Sequence, residues 1–66
     1  MPSVKSNNPL ENGFIFETTR LGNTVKVCAI DPITAQEAMA LGPANVPIDD
    51  LRLLAAKKLL RVLKGG

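Results

Sequence analysis

The sequence contains no histidine, no tryptophan and no tyrosine, and its one cysteine is Cys28. Without histidine, the residue most often used as general base and as metal ligand is missing. A lone cysteine closes no internal disulfide and, with no histidine beside it, builds no structural zinc site. The aromatic side chains that would stack on nucleic-acid bases number two, Phe14 and Phe16, and both fall in a segment that reads as a core strand. No apolar run approaches the ~20 residues of a membrane span, and the opening MPSVKSNNP lacks the charged-then-apolar order of a signal peptide. A cytoplasmic protein with a reduced thiol, no cofactor and no membrane partner is expected.

What is present must therefore stabilise a small domain by other means. A chain of 66 residues with a formal net charge of +2 makes one domain at most and buries only roughly 60% of its unfolded surface. With disulfide and metal excluded, oligomerisation is the support left for so small a core. The charge is mild and falls short of the dense positive field of a dedicated nucleic-acid binder.

The stretch from Pro47 to Lys64, PIDDLRLLAAKKLLRVLK, is dominated by good helix formers. At helical spacing Ile48, Leu51, Ala55, Leu59, Val62 and Leu63 fall on one side, and Asp50, Lys57, Arg61 and Lys64 fall opposite. Pro47 suits the first helical position, where its missing amide proton costs nothing. Asp49 and Asp50 complement the positive end of the helix dipole, and Lys57, Lys58, Arg61 and Lys64 the negative end. Gly65-Gly66 supplies the stop. The ending Leu63-Lys64-Gly65-Gly66 is similar to the tails of ubiquitin and the sulfur-carrier proteins, but in those folds the glycines trail a strand.

Before the helix, GFIFETTRL and TVKVCAID are separated only by Gly22-Asn23, which reads as a hairpin with a type II′ turn. Its loop length sets Leu21 opposite Thr24, Phe16 opposite Ala29, Thr18 opposite Val27 and Arg20 opposite Val25. One face then carries Phe14, Phe16, Val25, Val27 and Ala29, the floor on which the helix is expected to pack. The other face carries Ile15, Glu17, Thr19, Lys26, Cys28 and Ile30, with Glu17 placed for a diagonal contact to Lys26. Asp31-Pro32-Ile33-Thr34-Ala35 reads as a second tight turn, its Asp and Thr side chains bonding nearby amides. A third strand follows over Gln36 to Gly42, and pairing Asp31 with Gln36 adds Ala38 and Ala40 to the helix side and Glu37, Met39 and Leu41 to the other. The expected fold class is α+β, a three-stranded antiparallel β-meander with one C-terminal α-helix packed on one face. Residues 13 to 66 form that single domain, and residues 1 to 12, rich in Pro, Asn and Ser, read as a disordered arm.

Over about residues 13 to 63 the chain resembles a family of short alphaproteobacterial proteins with no established activity. The resemblance is carried by Phe16-Glu17, Arg20, Gly22-Asn23, Val25-Lys26-Val27, Ala29-Ile30-Asp31-Pro32, Thr34, Glu37 and Gly42-Pro43-Ala44-Asn45. Members more often have Gly where this chain has Ala35, a residue strained by a turn needing positive φ. The resemblance implies a bacterial origin and one small domain, and it transfers no catalytic residue.

The chemistry-bearing residues do not converge. Glu11, Glu17, Asp31, Glu37, Asp49 and Asp50 are scattered, so no carboxylate pair and no oxygen cage for a metal is expected, and the reading is of a non-enzyme. Cys28 has no histidine to activate it and reads as a small buried hydrophobe. The surplus is apolar surface. With Leu53, Ala56 and Leu60 counted, the apolar arc of the helix spans roughly 200°, more than one sheet face covers. Leu53, Ala56 and Leu60 are therefore the candidate self-association patch of a homodimer, with Ile15, Cys28, Ile30, Met39 and Leu41 on the sheet as the rival surface. A protein partner other than a second copy fits the same surplus. Arg52, Lys57, Lys58, Arg61 and Lys64 form a basic patch on which a second reading, weak nucleic-acid binding, rests.

Overall fold

Gly22-Asn23 and the segment from Asp31 to Gln36 decide where the chain reverses, and Pro47 decides where the helix begins. The computed structural model describes residues 13–65, in the order β1 (Ile15–Leu21), β2 (Thr24–Ile30), β3 (Glu37–Pro43) and α1 (Ile48–Leu63). The strands make one antiparallel sheet ordered β1-β2-β3, so the expected β-β-β-α arrangement is found. The arm expected over residues 1–12, like Gly66, lies outside the described residues.

Both registers follow from the turns. Leu21 sits opposite Thr24 and Phe16 opposite Ala29, while Ile30 sits opposite Glu37 and Val27 opposite Ala40. In the first turn Gly22 has φ +62° and Asn23 does not share the positive sign, which is the type II′ pattern. In the second, Asp31 N–H donates to Gln36 O at 2.9 Å and Ala35 N–H to Asp31 O at 2.7 Å. The Asp31 carboxylate, buried, accepts from Ile33 N–H at 3.1 Å and from the Thr34 hydroxyl at 2.9 Å, and Gln36 N–H donates back to Thr34 Oγ1 at 3.2 Å. The loop closes only because Ala35 takes φ +66°, a conformation that crowds its Cβ against the backbone.

Pro47 stands one position outside the helix, as its N-cap, with φ −57° and ψ 136°. Strand β3 ends in a turn closed by Val46 N–H to Pro43 O at 3.1 Å, and the Pro47 carbonyl then accepts from Asp50 N–H at 3.0 Å to open the first helical turn. The helix stops where Lys64 N–H bonds Leu60 O at 3.1 Å and Gly65, at φ +86°, bonds Val62 O at 3.0 Å.

The centre of the core is made of small residues. Val25, Val27, Ala29, Ala40, Leu51, Ala55 and Leu59 form one contiguous cluster, with Phe14, Phe16, Ala38, Ile48 and Leu63 among the half-buried residues packed around it. The expected floor is therefore displaced: α1 lies over β2 and β3 rather than over β1, and the phenylalanines sit at the margin. Small side chains on β3 draw the helix that way. Gly42, on the helix side of β3, lets Leu51 approach so closely that a Cβ there would lie 2.8 Å from Leu51 Cδ2. Val62, expected to face inward, is 40% exposed in the last turn.

Candidate self-association surface

With α1 over β2 and β3, the helix side of β1 is covered only in part: Phe16 packs at the margin of the core, and Thr18 and Arg20 lie beyond it. Thr18 and Arg20 are exposed, whereas Val27 and Val25 opposite them are buried. Arg20 folds back along the strand, its Nε donating to Gly22 O at 3.0 Å. The helix flank that overlooks this strip can be fixed from Lys58. Its Nζ donates to Met39 O on β3 at 3.1 Å, so that flank leans over the β3 edge, and at 100° per residue the opposite flank, bearing Leu53 and Leu60, leans towards β1.

Of the three residues expected to pair with a second copy, Leu53 and Leu60 are half-buried and still present surface, but Ala56 is fully buried. Its single methyl lies between Arg52, Leu53, Leu59 and Leu60, its neighbours three and four positions away on the helix, and these larger side chains flank it. Leu54, absent from the expected patch, is 44% exposed on the outer side of the helix. There it borders a shallow open depression with Asp50, Leu53 and Lys57. An isolated leucine among charged positions was the signal for it.

The basic residues do not form one field. Lys58 is engaged with the β3 backbone. Arg52 pairs with Asp49 at 3.6 Å, one turn back on the helix, while its Nε is covered and has no hydrogen-bond partner. Lys57, Arg61 and Lys64 remain on the outward side, together with the acidic Asp50.

The rival surface is the uncovered face of the sheet, and it is open. Ile15, Leu21, Met39 and Leu41 are exposed there, and Glu17 and Lys26 do not come within ion-pair distance of each other. Cys28 lies at the middle of this face, buried among its neighbours, its thiol donating to Glu37 Oε1 at 3.4 Å. Burial pushes the Cys28 thiol up, and the hydrogen bond and charge of Glu37 add to the rise. A thiol held in its protonated form is a poor nucleophile and a poor metal ligand. Among the described residues no three Cys, Asp or Glu side chains gather closely enough to hold a metal ion, and no helix is long and apolar enough to cross a membrane.

The two edges of the sheet differ. Asp31 N–H bonds Gln36 O and Ala44 N–H bonds Asn23 O at 2.7 Å, so odd-numbered residues of β2 turn their backbone groups to β3 and even-numbered ones turn theirs to β1. On β1 this engages Ile15, Glu17, Thr19 and Leu21, and it leaves the N–H and C=O of Phe16, Thr18 and Arg20 directed outward. On β3 the outward groups are those of Glu37, Met39 and Leu41, of which the Met39 carbonyl is taken by Lys58.

The model of a family described as "Domain of unknown function (DUF6898)" matches residues 11–66. No curated protein and no solved structure matches the chain.

Proposed function

This chain belongs to the DUF6898 family, whose description names no activity, and from its surface we propose that it is a non-enzymatic interaction module that works as a homodimer. The observation that carries this is the bare strip beside the helix. Beyond Phe16, which packs against the core, strand β1 is exposed on its helix side at Thr18 and Arg20, and Leu53 and Leu60 lean towards it. A second copy of the chain is the partner proposed for that side of the domain. The energetic motive is a thin core: of nine buried apolar residues among the described ones, four are alanines, Ala29, Ala40, Ala55 and Ala56. Covering the part of a half-buried leucine that is still exposed contributes about 1 kcal/mol, which counts in so small a domain. The bacterial cytoplasm is the setting that accords with a free thiol and with the resemblance to short alphaproteobacterial proteins.

Nucleic-acid binding through Lys57, Arg61 and Lys64 is the second reading, favoured by the outward direction of these three side chains. It is weakened by Asp50 in their midst and by the engagement of Lys58 and Arg52 elsewhere. Sedimentation across a concentration series at low and high salt, repeated with mixed duplex and single-stranded DNA, separates the two. Apolar association holds or strengthens with salt, whereas phosphate contacts release counterions and weaken steeply. A single-chain mass at high micromolar protein defeats the homodimer, and DNA binding lost at high salt promotes the second reading.

A further inference from the structure

We infer that the second copy docks by strand addition, β1 against β1 of its twin, across a two-fold axis through Thr18 that runs perpendicular to the sheet. This rests on the homodimer reading above and names the contact. The backbone groups directed outward from β1 belong to Phe16, Thr18 and Arg20, spaced symmetrically about Thr18. Antiparallel self-pairing centred there sets Thr18 opposite Thr18, Phe16 opposite Arg20 and Ile15 opposite Leu21 of the other copy. All seven residues of β1 find a partner, and the three outward pairs each exchange two N–H···O bonds, as hydrogen-bonded pairs of an antiparallel ladder do. A shift of the axis to any other position leaves one end of the strand unpaired.

Side chains agree with that register. Threonine opposite threonine and isoleucine opposite leucine are favourable cross-strand pairs. Phe16 opposite Arg20 brings a ring beside a guanidinium, which attract. The β3 edge offers a poorer site, because Lys58 occupies its central carbonyl and Pro43 ends the strand, both of which discourage strand addition. Since the axis is perpendicular to the sheet, both helices lie on one side of a joined six-stranded sheet. The Leu53 and Leu60 flanks then face each other across a trough floored by the two β1 strands, with Phe16 and Arg20 of both copies standing between them.

The substitution Thr18→Pro tests this directly, because the Thr18 N–H points away from β2 and its loss removes no bond within the domain, whereas it removes the central donor of the joined ladder. The wild-type protein is expected to sediment as a dimer, and Thr18→Pro as a monomer with an unchanged far-ultraviolet circular dichroism spectrum. In a Cys28→Ala background, Thr18→Cys should cross-link on oxidation, since residues of a hydrogen-bonded pair have Cα atoms ~5.5 Å apart. Arg20→Cys should not, because the two copies of that position stand about 13 Å apart along the joined strands. A folded Thr18→Pro dimer overturns the edge contact and leaves the homodimer standing. Cross-linking at Arg20→Cys and not at Thr18→Cys overturns it as well, and decides the matter if Thr18→Pro fails to fold. A wild-type monomer, including one whose own residues 1–12 occupy the edge, defeats both readings.

Discussion

Gly42 and Leu51 meet where β3 and α1 are closest, with room for a hydrogen on Gly42 and for nothing larger: an added Cβ would stand 2.8 Å from Leu51 Cδ2 and 3.4 Å from Cδ1. Leu51 is itself buried in the cluster, so it has little freedom to withdraw. The substitution Gly42→Ala is expected to destabilise the domain by about 1–3 kcal/mol, the usual range for overpacking a filled core. In a Leu51→Val background, which removes the obstructing Cδ atoms, the penalty should shrink to a few tenths of that. Urea midpoints of the four proteins close the cycle, and equal penalties in both backgrounds would refute the contact as the cause.

Ala35 is the non-glycine residue with positive φ among those described, at +66°. A left-handed conformation costs a residue with a Cβ roughly 1–2 kcal/mol, and glycine recovers most of it less its own greater chain entropy. Ala35→Gly should therefore stabilise by about 1 kcal/mol and raise Tm by about 4–8 °C for a domain of this size. The gain must be absent from Thr34→Gly, whose hydroxyl holds Asp31 and Gln36. A lower Tm for Ala35→Gly would show that the turn relaxes in solution.

The thiol of Cys28 gives the stability a pH dependence. Burial, then the hydrogen bond and charge of Glu37, raise its folded pKa, while in the unfolded chain a thiol ionises near pH 8.5. Over the window between those values the unfolded chain has lost a proton that the folded one keeps. The contribution is thus complete below about pH 8.5 and is lost as pH rises through the folded value. Denaturation midpoints of the wild type should fall through this window more steeply than those of Cys28→Ala, and parallel curves would contradict the shift. Labelling by a thiol reagent at neutral pH should likewise be slow until denaturant is added.

Leu53→Glu with Leu60→Glu places four carboxylates on the facing helix flanks of a homodimer. Dissociation should move to higher protein concentration by a factor of 10 or more, since each added charge faces like charge across a surface partly removed from water. Leu54→Glu, on the outer side of the helix, is the control and should leave the association unchanged. If both variants behave alike, the flank next to β1 plays no part.

Turn chemistry made the sheet readable in advance. Gly22-Asn23 fixes one register because a two-residue loop permits few alternatives, and Asp31, Thr34 and Ala35 fix the other through bonds between residues only a few positions apart. The seat of the helix was less accessible. A wheel places Leu51, Ala55 and Leu59 together, but it does not say which strands lie beneath them. That depends on how close two backbones come, and the information sits in Gly42, Ala40 and Ala38, whose smallness reads as weak strand propensity until the helix is set against them. Thr18 and Arg20 on the helix side of β1 were the complementary sign, being polar where a covered strand would be apolar. Ala56 falls on the wrong side of a boundary when it is read as surface, since at 100° per residue it lies only about 60° from Leu59 and so borders the face that packs on the sheet.

Lys58 bonded to the Met39 carbonyl has a bearing on how many chains can join. A sheet open on both margins adds strands without end, and such growth is how filaments form. Here one margin is held by an ammonium group whose charge would be stranded by an incoming strand. In the proposed dimer, recruitment is thus confined to the opposite side, where a two-fold partner uses up the vacancy in a single step. In that assembly the lysine would make lateral growth self-limiting, and Lys58→Ala is the variant in which fibrils are expected.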